Sequence, residues 1–311
     1  MGSILAAHLA RAGHPVTLLA RGARAAQIES EGICITGLTE FSQRVTVARD
    51  PTALRGEVLI VALKGADVRT VLRSIPSQQI RIALSIQNGL EKNEMLGGIF
   101  GADRTLGALA NTSGEMFADG RVAFTRNASI YVGELDGAAS DRAAQLARLI
   151  DAAGVRTQTS THVLSLEWSK FAAWAGMMVL SVATRVETWR YLCDLSAAKL
   201  IVQLAKELSR IAAALGVDLT DESVLPVATL GASSEADAIE LVLRLGQQFE
   251  QSAPQHRMSA LQDLNSGRAL EIEPTLGYAH QQALALGIDV PILGACLTLT
   301  RAIDRTRGHE R

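Results

Sequence analysis

Lys170 is the lone charge in an otherwise apolar run. It follows Trp168-Ser169 and precedes Phe171-Ala172-Ala173-Trp174-Ala175-Gly176-Met177-Met178. A lysine is rarely buried without a partner or a purpose. Desolvation disfavours the charged form of such a side chain, which suits it to proton donation near neutral pH. The plainer reading is a lysine that snorkels to water from near a helix start. Trp174, Met177 and Met178 read first as packing. Asn88 stands in Ser85-Ile86-Gln87-Asn88-Gly89-Leu90. Asn-Gly is a turn signal, and the asparagine amide can also bond a ligand. Ser259–Glu273 reads as a polar helix of about two turns, capped near Gly267, after which Glu271 and Glu273 flank Ile272. Two carboxylates near a lysine would orient it and hold it charged; taken alone, the pattern is an ordinary helix–turn–helix. The six histidines have no metal-ligand spacing, so no metal is expected.

A second group of residues points to a nucleotide. Ser3–Ala12 has helical periodicity in Ile4, Leu5, His8, Leu9 and Ala12, Gly13-His14-Pro15 breaks it, and Val16–Leu19 is a short apolar strand. This is the second half of a first βαβ unit, with Gly2 where the last glycine of G-x-G-x-x-G sits. Arg21 follows the strand, 19 positions after Gly2. An acidic residue there bonds the ribose 2′-hydroxyl of NAD, whereas an arginine accommodates the 2′-phosphate of NADP. Arg24, one turn on, could assist; both could equally be solvated loop arginines. Lys64 ends the apolar run Val58–Leu63, and ligands of open α/β sheets bind beyond the carboxyl ends of strands.

These residues need a frame, and the rest of the chain supplies one. Short apolar runs at Val16–Leu19, Val58–Leu63, Ile82–Ile86, Thr105–Ala110 and Ile130–Gly133 alternate with helical stretches at Asp67–Ser74 and Lys92–Phe100. That alternation predicts an α/β fold, a Rossmann-type doubly wound parallel sheet. Glu40–Val47 reads as a hairpin insertion. Beyond Gly154–Ser160 only helical patterns remain: Leu164–Ala183, Ala197–Leu215, Ala236–Gln251, Pro274–Ala285 and Gly294–Asp304. Two domains are expected, a dinucleotide-binding domain over 1–157 and an all-helical domain over 158–311. The 311 residues are 48% apolar with a net charge of −2, which gives no electrostatic case for nucleic acid or an anionic membrane. No apolar run reaches the roughly 20 residues of a membrane span. The three cysteines read as reduced thiols, and no signal peptide is evident, so a cytoplasmic protein is expected. A homodimer is plausible from the apolar helical domain.

Together these residues resemble the ketopantoate reductase (2-dehydropantoate 2-reductase) family over nearly the whole chain. The resemblance rests on Gly2-Ser3 with Ala12–Leu18, on Val61-Ala62-Leu63-Lys64, on Ser85–Leu90, on Trp168-Ser169-Lys170 and on Ser259–Glu273. It implies a Rossmann domain, a helical domain and an active site in the cleft between them. It further implies hydride transfer from NADPH to the 2-keto carbon of ketopantoate, giving pantoate for coenzyme A synthesis. The lysine matching Lys170 is then the proton donor, and the glutamate matching Glu271 contacts the cofactor and orders the site. Residues matching Gly2, Arg21 and Lys64 bind cofactor, and those matching Asn88 and Ser259 contact cofactor or substrate.

Two departures from the family pattern stand out. The family carries asparagines four and eight residues after the lysine, where this chain has Trp174 and Met178; a third aligns with Thr188. Losing amides that read a substrate's polar groups can cost discrimination of about 10⁴-fold. A 2-oxo acid larger or more apolar than ketopantoate is therefore expected. In addition, the first strand and first two glycines of the Rossmann motif are missing ahead of Gly2. Either Met1 is the internal methionine of a longer Gly-x-Gly-x-Met-Gly, or the chain is a degenerate, non-catalytic member that serves as a binding or scaffold protein.

Overall fold

A computed structural model describes residues 1–63 and 67–306. The chain divides into two compact units, one of Met1–Gln87 with Lys92–Val163, the other of Asn88–Glu91 with the chain from Leu164 onward. The expected dividing line at 157/158 falls at the start of a strand, Thr157–Thr159, that pairs with the first unit's sheet. The division therefore lies at 163/164.

In the first unit, α1 (Gly2–Arg11), β1 (Thr17–Leu19), α2 (Gly22–Glu31), β2 (Ile33–Gly37), β3 (Phe41–Gln43), β4 (Thr46–Ala48), β5 (Val58–Val61) and α3 (Val68–Arg73) come first. They are followed by β6 (Ile82–Ser85), α4 (Glu91–Phe100), β7 (Thr105–Met116), β8 (Val122–Glu134), α5 (Asp141–Ala152) and β9 (Thr157–Thr159). Seven strands form one sheet in the order β3-β2-β8-β7-β6-β5, with β9 on β8, while β1 and β4 pair in parallel as a separate two-stranded sheet. The Rossmann-like arrangement is present, but the sheet is mixed rather than all parallel. β5, β6 and β7 run parallel, whereas β7 and β8 are antiparallel. The reason is the connection. Five residues separate β7 from β8, too few for the crossover of about a dozen residues that parallel neighbours require.

The expected hairpin at Glu40–Val47 does not form. β3 folds back on β2, and β4 joins β1. Gly32 and Gly37 have φ of 80° and 93° and so bracket Ile33–Gly37 as a strand of its own. α1 buries Ile4, Leu5, Ala6, Ala7, His8 and Leu9 in a core shared with Ile33, Ile35 and Phe124. Lys92 is buried, and its ammonium donates to Gln87 O at 3.2 Å and Ala108 O at 2.5 Å, which ties the residue after β6 to β7.

The second unit is helical: α6 (Val163–Thr184), α7 (Thr188–Leu192), α8 (Leu195–Ala214), α9 (Val227–Ala232), α10 (Glu235–Ser252), α11 (Ser259–Asn265), α12 (Tyr278–Leu286) and α13 (Pro291–Thr306). α6 is apolar on nearly every side and lies inside this unit's core, as such a helix must. The helix expected at Pro274–Ala285 is split. Glu273–Gly277 forms a π-type turn before α12, with the Gly277 N–H donating to Ile272 O at 3.0 Å.

Candidate active site

Lys170, Trp174 and Met178 are spaced at i, i+4 and i+8 on α6, which puts them on one face. Trp168 and Phe171 meet edge to face at 6.2 Å, and Ser169 Oγ accepts the Thr220 N–H at 2.7 Å. The Ser169–Thr220 bond helps to fix the rotation of α6 about its axis. Lys170 is half-buried, and its Nζ donates to Asn88 Oδ1 at 3.4 Å.

Asn88 is held by its neighbour. Gly89 has φ of 93°, and a Cβ there would lie 2.4 Å from Pro274 O. Only glycine fits this approach. Leu90 N–H also donates to Pro274 O at 3.3 Å. The Asn88-Gly89-Leu90 turn is thereby seated on the π-type turn that follows Glu271.

One turn along α6 from Lys170, a shallow depression is lined by Trp174, Met178, Ser259, Ala260, Asp263, Leu270 and Glu271. Met178 is fully buried; Trp174 and Glu271 are half-buried; Ser259, the first residue of α11, is exposed. The pocket thus has an apolar wall of indole, thioether and aliphatic groups facing a hydroxyl and two carboxylates. It joins seven residues that lie up to 97 positions apart in sequence, from Trp174 to Glu271.

Other expected members lie elsewhere. Glu273 turns away from the lysine and accepts two bonds from Arg301, at 2.7 and 2.6 Å, and the guanidinium holds its carboxyl below the usual range. Thr188 is wholly buried, and its hydroxyl meets His256 Nδ1 at 2.9 Å and Tyr191 at 3.1 Å. Asp263 was not anticipated. It is buried and bonded by Arg268 at 2.6 Å. The signal for it is its i+4 spacing from Ser259, which places both on one face of α11.

The first unit carries the features of a dinucleotide cradle. At the start of α1, a Cβ on Gly2 would come within 3.2 Å of Ala62 Cβ, the close helix–strand approach assigned to the last glycine of the fingerprint. Arg21 is exposed directly after β1. These residues fit a nicotinamide dinucleotide. Arg24, one turn on, donates to Gly120 O at 2.7 Å, Gln27 Oε1 at 2.9 Å and Ser3 Oγ at 3.2 Å. Lys64 lies outside the described residues.

The family model for ketopantoate reductase PanE/ApbA matches residues 1–137, and that for its C-terminal part matches residues 162–304. The chain belongs to this family. A 2-dehydropantoate 2-reductase of Archaeoglobus fulgidus is 23% identical over 304 residues, covering 98% of this chain and 95% of that protein. One from Pyrococcus horikoshii is 20% identical and covers 100% and 97%. Among solved structures, a PanE/ApbA family ketopantoate reductase from Ralstonia eutropha JMP134 superposes with a TM-score of 0.81 at 25% identity, covering 98% and 95%. D-mandelate dehydrogenase with NADH and anilino(oxo)acetate shares the fold, with a TM-score of 0.81 at 18% identity over 99% and 96%. As a ketopantoate reductase family member, the chain is an oxidoreductase of the class that reduces 2-oxo acids with a nicotinamide cofactor. Among the described residues no helix is long and apolar enough to cross a membrane.

Proposed function

We propose that this family member converts a 2-oxo acid to the 2-hydroxy acid with NADPH, and that its substrate carries a bulkier or more apolar side chain than 2-dehydropantoate. One observation carries the reading: Trp174 and Met178 wall a pocket with Ser259 and Glu271, on the same helix face as Lys170.

Bound NADPH supplies the hydride that reaches the 2-oxo carbon. Negative charge then grows on the carbonyl oxygen, and the Lys170 ammonium stabilises it and gives up a proton, completing the alcohol. Asn88 accepts from Nζ and so orients the ammonium. Ser259 offers a hydroxyl to the polar end of the substrate, while Trp174 and Met178 cover its apolar end and exclude water. Glu271 orders the pocket and contacts the cofactor. In the first unit, Gly2 lets the pyrophosphate approach α1, and Arg21 pairs with the 2′-phosphate. A charge-assisted bond of that kind is worth about 1.5–3 kcal/mol. Arg21→Ala is therefore expected to weaken NADPH binding by about 10- to 100-fold and leave NADH nearly unchanged.

The test follows oxidation of NADPH and of NADH with 2-dehydropantoate beside 2-oxo acids bearing branched alkyl and aryl side chains. Higher kcat/KM for the apolar acids, with NADPH preferred, supports the proposal. Efficient and selective turnover of 2-dehydropantoate would sink it.

A further inference from the structure

The segment that carries Glu271 is bonded on both sides of that residue by α13. Residues 268–272 have no helical or strand structure. With no ladder of its own, such a segment takes its course from the groups that bond it. Asp263 of α11 holds Arg268 at one end, the Thr275 hydroxyl donates to Glu271 O, and α13 supplies two further groups. Asp304 Oδ1 accepts the Leu270 N–H at 3.1 Å, and Arg301 grips Glu273 with two bonds. Arg301 and Asp304 stand at i and i+3 on α13, hence on one face. The residues they hold, Leu270 and Glu273, lie on either side of Glu271. α13 is itself anchored, since Glu207, buried on α8, accepts the Ile292 and Leu293 N–H groups at 3.0 and 2.7 Å.

We propose that Arg301 and Asp304 are positioning residues that set the Glu271 carboxylate in the pocket. This rests on Glu271 acting in the site, as proposed above. The Arg301–Glu273 pair is exposed, at 40% and 61% of the side chains, and exposed ion pairs contribute little to stability. Its two parallel bonds instead fix orientation. Losing it moves Glu271 without unfolding the unit.

A kinetic double-mutant cycle on the full chain tests this, with NADPH and whichever 2-oxo acid is reduced fastest. Arg301→Met and Asp304→Ala should each lower kcat/KM by about tenfold, and Arg301→Met should leave the melting curve unchanged. In a Glu271→Gln background, Arg301→Met should cost almost nothing further, because both changes remove the same interaction. Arg301→Lys should recover part of the loss. Multiplying losses in the double variant, or wild-type kinetics in Arg301→Met, would overturn the proposal. Wild-type kinetics in Glu271→Gln would instead contradict the role of Glu271, and the positioning proposal would fall with it.

Discussion

At the scale of single residues, the account depends on what stands one and two turns beyond Lys170. Trp174 and Met178 put an indole and a thioether where the resemblance to the family implies amides. Restoring both amides, as Trp174→Asn with Met178→Asn, should move the ratio of kcat/KM toward 2-dehydropantoate by at least tenfold; hydrogen-bonded recognition can reach about 10⁴-fold. Rates for the panel of 2-oxo acids measure it, and an unchanged ratio would contradict the role given to this face. His8 gives a second prediction, about stability. Its ring is buried between Phe41 and Phe124 at 5.0 and 5.4 Å, and Nδ1 meets Ala153 O at 3.0 Å. Burial lowers its pKa, so in the unfolded chain His8 takes up a proton at a higher pH than in the folded one. Stability is then fully present above about pH 6.5 and declines as pH falls toward the lower folded value. Denaturant unfolding at pH 7.5 and 5.5 should show this loss, and His8→Leu should shrink the difference between the two. The helical spacing of Lys170, Trp174 and Met178 is legible in the sequence because periodicity is local. The bonds of Arg24 and Glu273 were not legible, because their partners, Gly120 and Arg301, lie 96 and 28 residues away.

At the scale of elements, the turn at Asn88-Gly89 is a device for placing one amide against Lys170. Gly89→Ala would force both an unfavourable φ and a clash with Pro274 O. A destabilisation of about 1–3 kcal/mol is expected, with a fall in kcat as Asn88 shifts from Nζ. Chemical denaturation and steady-state rates check it; a variant with wild-type stability and kcat would show that the turn does not position the site. The strand β6 matches its expected run closely, since a buried parallel strand is continuously apolar; β5 matches as well, although it lies at the sheet edge with Val58 exposed. β7 and β8 run well past theirs: Ser113–Met116 at the end of β7 is exposed and polar enough to leave no apolar run, and Val122–Phe124 of β8, though buried, is set apart from Ile130 by exposed and half-buried residues. The pairing of Glu40–Val47 was not legible either. Which strand a short segment joins is decided by distant partners, here β1 and β2.

At the scale of the whole molecule, each unit has its own core. Alanine-rich helices fill the second, and the mixed sheet with α1 forms the main core of the first. The change of texture near residue 160 made this division readable. The assignment of Asn88–Glu91 to the helical unit was not readable, since it follows from contacts with Pro274. A dinucleotide that binds only the folded first unit should stabilise it by about 2.7 kcal/mol at a hundredfold excess over Kd. NADPH should therefore raise the melting temperature in proportion to the logarithm of its concentration, and a temperature indifferent to NADPH would argue against the cradle at Gly2. The most direct test of the central claim is the single-turnover rate of 2-oxo acid reduction by Lys170→Ala with saturating NADPH. The account predicts a fall of about 10²- to 10⁴-fold with NADPH affinity unchanged, and a rate near that of the wild type would contradict it.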